Sequence, residues 1–219
     1  MATSVTSSGI TFNDSTVQTT AASGGDWVLL DSLVKTSVPS TILNTPNASV
    51  GNYSILKYFF SMEGLGTSTT QNRYVYASIY GRNSSGAIDI FNDHFGSYMY
   101  TRNGTFGDGS ISDSNGNGQI YVIAPIATSM WCDAQSAMGV EITIYLASTA
   151  FNETTRYPVT ITTSYINTTN QATDYKASTF LVTPASTAGY YPGTVLVTNS
   201  GGSPYYMNGC TAQLYGLAK

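Results

Sequence analysis

From Tyr74 to Tyr80 the chain alternates strictly, with Val75, Ala77 and Ile79 set against Tyr74, Tyr76 and Tyr80. An extended backbone sends successive side chains to opposite faces, so a period of two fits a strand buried on one side and is incompatible with a helix. Ile120, Val122 and Ala124 alternate in the same way with Tyr121 and Ile123. A succession of such short segments runs from Trp27 onward, each closed by Gly, Asn, Ser or Pro. They are Trp27 to Val34, Tyr53 to Met62, Tyr74 to Tyr80, Phe95 to Thr101, Gln119 to Ile126, Val140 to Ala147, Pro158 to Tyr165, Phe180 to Thr183, Thr194 to Thr198 and Thr211 to Leu217. No segment keeps a helical period for more than a turn. The expected fold is therefore all-β, a single jelly-roll-like β-sandwich over residues 26–219, with Asn199 to Ser203 as a hairpin loop and no solenoid repeat.

Charge contributes little to the solubility of such a domain. Charged residues make up 9% of the 219, against roughly 25% in an ordinary soluble domain. Hydroxyls and amides carry the polarity instead, and Thr and the 17 tyrosines suit a pleated, half-buried surface. A net charge of −4 with eight scattered Lys and Arg argues against a phosphate-binding surface, so nucleic acid is not an expected partner. No apolar run approaches the roughly 18–20 residues that cross a bilayer as a helix, and MATSVTSSGITF lacks the basic start and apolar stretch of a signal peptide. Synthesis in a cytoplasm is the expectation, without membrane insertion. In that reducing setting Cys132 and Cys210 are expected to remain thiols.

Residues 1–25 differ in composition from the remainder of the chain. They are rich in Ser, Thr and Gly, with one patterned segment in which Ile10, Phe12 and Val17 flank the turn formers Asn13, Asp14 and Ser15. A strand or small hairpin of this size cannot bury its apolar side alone, so it requires a partner surface. Ser23-Gly24-Gly25 supplies a flexible joint to the sandwich. The segment reads as an arm that docks through Ile10, Phe12 and Val17.

GITFNDSTVQTTA, Gly9 to Ala21, resembles the GITFxDGTxQTTA stretch near the start of tail-fibre and other virion structural proteins of bacteriophages, particularly marine and cyanobacterial ones. Ser15 stands where that motif has its turn glycine. At the other end GCTAQLYGLAK, Gly209 to Lys219, resembles the closing GxxxLYGI strand of the same family, and Trp27 to Leu30 falls where its β-domain opens. The resemblance implies a virion component, often trimeric, whose arm attaches to the particle while the β-domain projects outward. Its partners would be other virion proteins, capsid or tail, and two further copies of itself in a homotrimer.

Catalytic chemistry has few candidates. His94, the single histidine, follows Asp93 without a nucleophile motif and reads as a loop residue. Paired acids of a glycosidase would have to come from twelve carboxylates, of which the glutamates Glu63, Glu141 and Glu153 are far apart in sequence. Asp108 to Gly118 matches the front of a calcium loop, but the twelfth position counted from Asp113 is Ala124 rather than a carboxylate, so a polar glycine-rich loop is preferred. The Asn-x-Ser/Thr triplets at Asn47, Asn52, Asn83, Asn103, Asn152 and Asn167 are expected by chance in a chain of this composition. Tyr98, Tyr100, Tyr190, Tyr191, Tyr205 and Tyr206 are candidates to stack on host-surface carbohydrate or to fill a subunit interface, against the plainer reading of ordinary strand tyrosines. No catalytic residue, metal or cofactor is assigned. The expectation is a non-enzymatic virion surface protein, decorating the capsid or forming a short head fibre. The alternatives are a tail-fibre or knob subunit that binds a receptor and, less favoured, a polysaccharide depolymerase.

Overall fold

A computed structural model describes residues 4–6, 9–11, 17–18, 27–38, 40–44, 52–64, 71–72, 75–82, 88–90, 93–113, 119–121, 131–132, 137–146, 156–166, 172–182, 191–199 and 207–219. Every regular element among them is a strand. Three short ones, β1 (Ser4–Thr6), β2 (Gly9–Thr11) and β3 (Val17–Gln18), form a sheet of their own. Ile10 pairs with Val5 on one side and with Gln18 on the other, and Thr11 pairs with Val17. The hairpin expected around Asn13 to Ser15 is thus β2 with β3, extended by β1. Phe12 and the turn itself lie outside the described residues.

Eight strands make one long antiparallel sheet. In spatial order they are β11 (Thr105–Asp113), β10 (Asp93–Arg102), β16 (Ala172–Val182), β15 (Arg156–Ile166), β14 (Ala137–Tyr145), β6 (Tyr53–Glu63), β18 (Met207–Ala218) and β4 (Trp27–Val38). A smaller sheet runs β12 (Gln119–Tyr121), β8 (Val75–Arg82), β17 (Tyr191–Asn199) and β5 (Ser40–Asn44), with β9 (Ile88–Ile90) paired to β8. Two further strands, β7 (Gln71–Asn72) and β13 (Trp131–Cys132), pair with each other. Apart from the β14–β15–β16 meander and the β8–β9 and β10–β11 pairs, the chain repeatedly passes between the long sheet and the smaller one, which is how a sandwich is wound.

The alternation read from the sequence becomes the inner face of the long sheet. β15 buries Tyr157, Val159, Ile161, Thr163 and Tyr165, and shows the residues between them to solvent. β14 contributes Met138, Val140, Ile142 and Ile144; β6 contributes Leu56, Tyr58, Phe60 and Met62; β18 contributes Cys210, Ala212 and Leu214. Ile79 of β8 is fully buried in the same cluster, joining the second sheet to this core. Fully burying one such side chain stabilises the fold by roughly 1.5–3 kcal/mol, so the inner face is the dominant source of stability. Cys210 is buried there as a thiol.

The hairpin β10–β11 turns on two residues. Asn103 (φ 48°) and Gly104 (φ 81°) are both left-handed, as a type I′ turn requires and as Asn-Gly supplies at least cost. The Asn103 N–H donates to the Ala172 carbonyl (3.1 Å), and the Ala172 N–H donates to Asn103 Oδ1 (3.0 Å), so the turn is tied to the start of β16. Beyond the turn, Tyr100 pairs with Gly107 and Tyr98 with Gly109. The tyrosine rings lean across the strand and occupy the space that side chains at the glycines would fill: a Cβ on Gly107 would sit 2.3 Å from Tyr100 Cζ, and one on Gly109 2.4 Å from the Tyr98 hydroxyl. An aromatic ring over an edge glycine restores apolar cover that glycine lacks.

Three local expectations are corrected. Asp108 to Asp113, expected in a polar loop, belong to β11, where Asp108 pairs with Met99 and Asp113 with His94; residues 114–118 lie outside the described residues. His94 is likewise a strand residue of β10, paired also with Leu181, rather than a loop residue. Asn199 to Ser203 cannot close a hairpin, because β17 lies in the small sheet and β18 in the long one.

Candidate binding face

The outer face of the long sheet is built by register. Across its strands runs the row Asp108, Met99, Lys176, Thr162, Glu141, Phe59, Gln213 and Ser32. Two residues along, the row reads Phe106, Thr101, Asp174, Ser164, Gly139, Ser61, Thr211 and Val34. Ser and Thr thus occupy the middle of the face, and larger side chains flank it. Strands β15 and β16 point their hydroxyls and charges outward because the alternate positions are taken up by Val159, Ile161 and Ala177 in the core.

Two of the depressions on this face meet at Thr162 and Ser164. One, of about 340 Å³, is walled by Met99, Phe106, Asp174 and Lys176. The other, of about 400 Å³, is walled by Phe59, Glu141 and Gln213. Gly139 borders the second, and a Cβ there would meet nothing within 4 Å. Together they form a shallow trough at right angles to the strands. Ser164 donates to Asp174 Oδ1 (2.9 Å) on its rim.

At its β6–β18 end the trough is bounded by a cluster of rings. Lys57 Nζ contacts Glu141 Oε1 at 2.8 Å, and Thr143 Oγ1 donates to the same carboxylate oxygen at 3.2 Å. The ammonium lies 5.7 Å from the Trp27 ring and 6.0 Å from the Phe59 ring, distances at which a ring face attracts a cation. Phe59 meets Tyr215 edge to face at 5.9 Å, and the Tyr215 hydroxyl donates to Gln213 Oε1 at 3.3 Å. Lys57 and Glu141 are each about a third exposed (32% and 39%), so their pairing orients side chains more than it stabilises the fold.

Comparison with protein-family models, with curated proteins and with solved structures finds no match.

The candidate residues from the sequence are distributed over different surroundings. Tyr98 and Tyr100 stack on each other at 6.4 Å, half-buried on the face opposite the trough, packed against the core and over Gly109 and Gly107. Tyr191 opens β17 opposite Arg82. Tyr190, Tyr205 and Tyr206 lie outside the described residues. Ile10 and Val17 sit in β2 and β3. Glu63 and Glu141 lie on neighbouring strands, opposite Ala137 and Phe59 respectively, so they are not directly paired. Among the described residues no group of three or more His, Cys, Asp or Glu is placed to hold a metal ion. Sequence reasoning missed the trough, whose walls come from residues as far apart as Phe59 and Gln213. It also missed β11, for which Asn103-Gly104 between alternating flanks is the signal.

Proposed function

We propose that this chain is a non-enzymatic surface protein of a bacteriophage particle, a capsid decoration or short head fibre held by its N-terminal arm. The observation that carries the reading is the separate sheet β1–β2–β3. The segment whose sequence resembles the virion motif pairs with itself and joins neither sandwich sheet among the described residues. So small a sheet gains most by adding its edge and apolar side to another protein. The sandwich supplies a stable body, and the resemblance of Gly9 to Ala21 and of Gly209 to Lys219 to virion proteins supplies the setting. In purified particles the chain is expected at a copy number close to that of the shell protein. Deleting residues 1–22 is expected to leave a folded sandwich by circular dichroism and to remove the protein from particles; normal incorporation of the truncated chain defeats the docking role.

A second reading within the same particle is a tail-fibre or knob subunit that binds host-surface carbohydrate, and the trough on the outer face favours it. Sugar rings offer an apolar face and a rim of hydroxyls, which match Phe59, Phe106 and Met99 beside Thr162, Ser164 and Asp174. Under this reading Phe59→Ala with Phe106→Ala weakens retention on host envelope polysaccharide at least about tenfold. Unchanged retention removes the trough from consideration, and release of reducing ends by the unaltered protein would make it an enzyme.

A further inference from the structure

The two edges of the long sheet are protected differently. At β11 the rings of Tyr98 and Tyr100 lie over Gly109 and Gly107. At the other edge, β4 is paired with β18 along its length, and apolar side chains on both of its faces are open: Trp27, Val28 and Leu29 are about half exposed and Val34 is 76% exposed. A long edge strand carrying apolar side chains is a template for another strand. Two charges interrupt it, Asp31 and Lys35, and a bulge sets Leu30 apart, since Leu214 pairs with Asp31 and Tyr215 with Leu29. Beyond the bulge the strand is regular, with Asp31, Leu33 and Lys35 opposite Leu214, Ala212 and Cys210, hence on one face.

That spacing is symmetric about Leu33. We propose that the β4 edge pairs antiparallel with the β4 edge of a second copy of this chain, on a twofold axis at Leu33, joining the two long sheets into one. In that register Leu33 meets Leu33, Val34 meets Ser32, and each Asp31 faces the Lys35 of the other copy. The charges that discourage a foreign strand, or a slip by one residue, become two complementary cross-strand pairs in this arrangement alone. A slip that centres the axis on Val34 sets Lys35 against Leu33 and loses both pairs. An isologous contact of this kind closes on itself and yields a dimer rather than a filament or a ring. It thereby differs from the threefold assembly that the virion resemblance implies, and it stands whether or not the chain belongs to a particle.

The test is light scattering of the full chain over a concentration series. The unaltered protein is expected to approach twice its 23.3 kDa mass. Lys35→Asp, which sets like charges opposite each other twice, is expected to raise the dimer dissociation constant at least about tenfold. Asp31→Lys is expected to do the same. Mixing the two single variants restores complementarity, Asp against Lys at both sites, so a heterodimer should form from two weakened homodimers. Circular dichroism of each variant checks that its sheet is intact. A monomer or a trimer for the unaltered protein overturns the proposal, as does a mixture that associates no better than either variant alone.

Discussion

Ile142→Ala is expected to cost about 2–5 kcal/mol of folding free energy, a large effect for a single site. Ile142 is fully buried, opposite Ile161 on β15 and Tyr58 on β6, both of which are themselves at or below 1% exposure. Removing its outer carbons leaves a void at the centre of three adjacent strands, where the sheet cannot collapse to fill it without breaking register. A domain of this size has about 5–15 kcal/mol in hand, so the urea midpoint should fall by a large fraction while the slope of the transition stays constant. Met99→Ala on the outer face is the control: Met99 is 52% exposed, and its replacement should change stability by no more than about 0.5 kcal/mol. If the two substitutions have similar effects, the inner face is not the core.

Gly107→Val is expected to destabilise by about 1–3 kcal/mol through overpacking, because its new Cβ would enter the Tyr100 ring. Truncating that ring should relieve the clash, so Tyr100→Ala combined with Gly107→Val should be more stable than the sum of the separate losses predicts. Gly139 provides the contrast. It lies in β14, has no positive φ, and has open space where a Cβ would go. Gly139→Ala should therefore be neutral or stabilise by up to about 1 kcal/mol, by restricting the unfolded chain. Thermal midpoints of Gly107→Val, Tyr100→Ala, their combination and Gly139→Ala decide the matter; equal shifts for Gly107 and Gly139 would show that the rings do not occupy the glycine positions.

These contrasts also explain what the sequence could and could not reveal. β15 was legible because its buried positions are large or branched and its outward ones, up to Ile166 at its end, are polar or proline, so the period of two is plain over residues 156–165. β16 was foreseen only from Phe180, since its earlier outward residues are Asp174, Lys176 and Ser178 and its one described inward residue is Ala177. Such a strand shows little apolar signal of its own. β11 was hidden for a related reason: its inward positions Gly107 and Gly109 have no side chains, and the apolar cover comes from β10. The trough was not legible, because which residues share a row depends on the register between strands distant in sequence. Tyr98 and Tyr100 stood out in the sequence by their chemistry, whereas their neighbours in space give them a packing role that no local pattern discloses.

The place of β18 between β4 and β6 bears on how the molecule is made. A strand that begins at residue 27 has its long-sheet partner in one that begins at residue 207. Ribosomes add roughly 5–20 residues per second, so roughly 9–36 s separate the emergence of the two. Throughout that interval Trp27 to Leu30 and the inward side of β6 await the same missing neighbour, and the nascent polypeptide exposes sticky surface that a cell must shield. Any message cut short of residue 207 yields a product that cannot complete its sheet, which makes solubility itself a check on full-length synthesis.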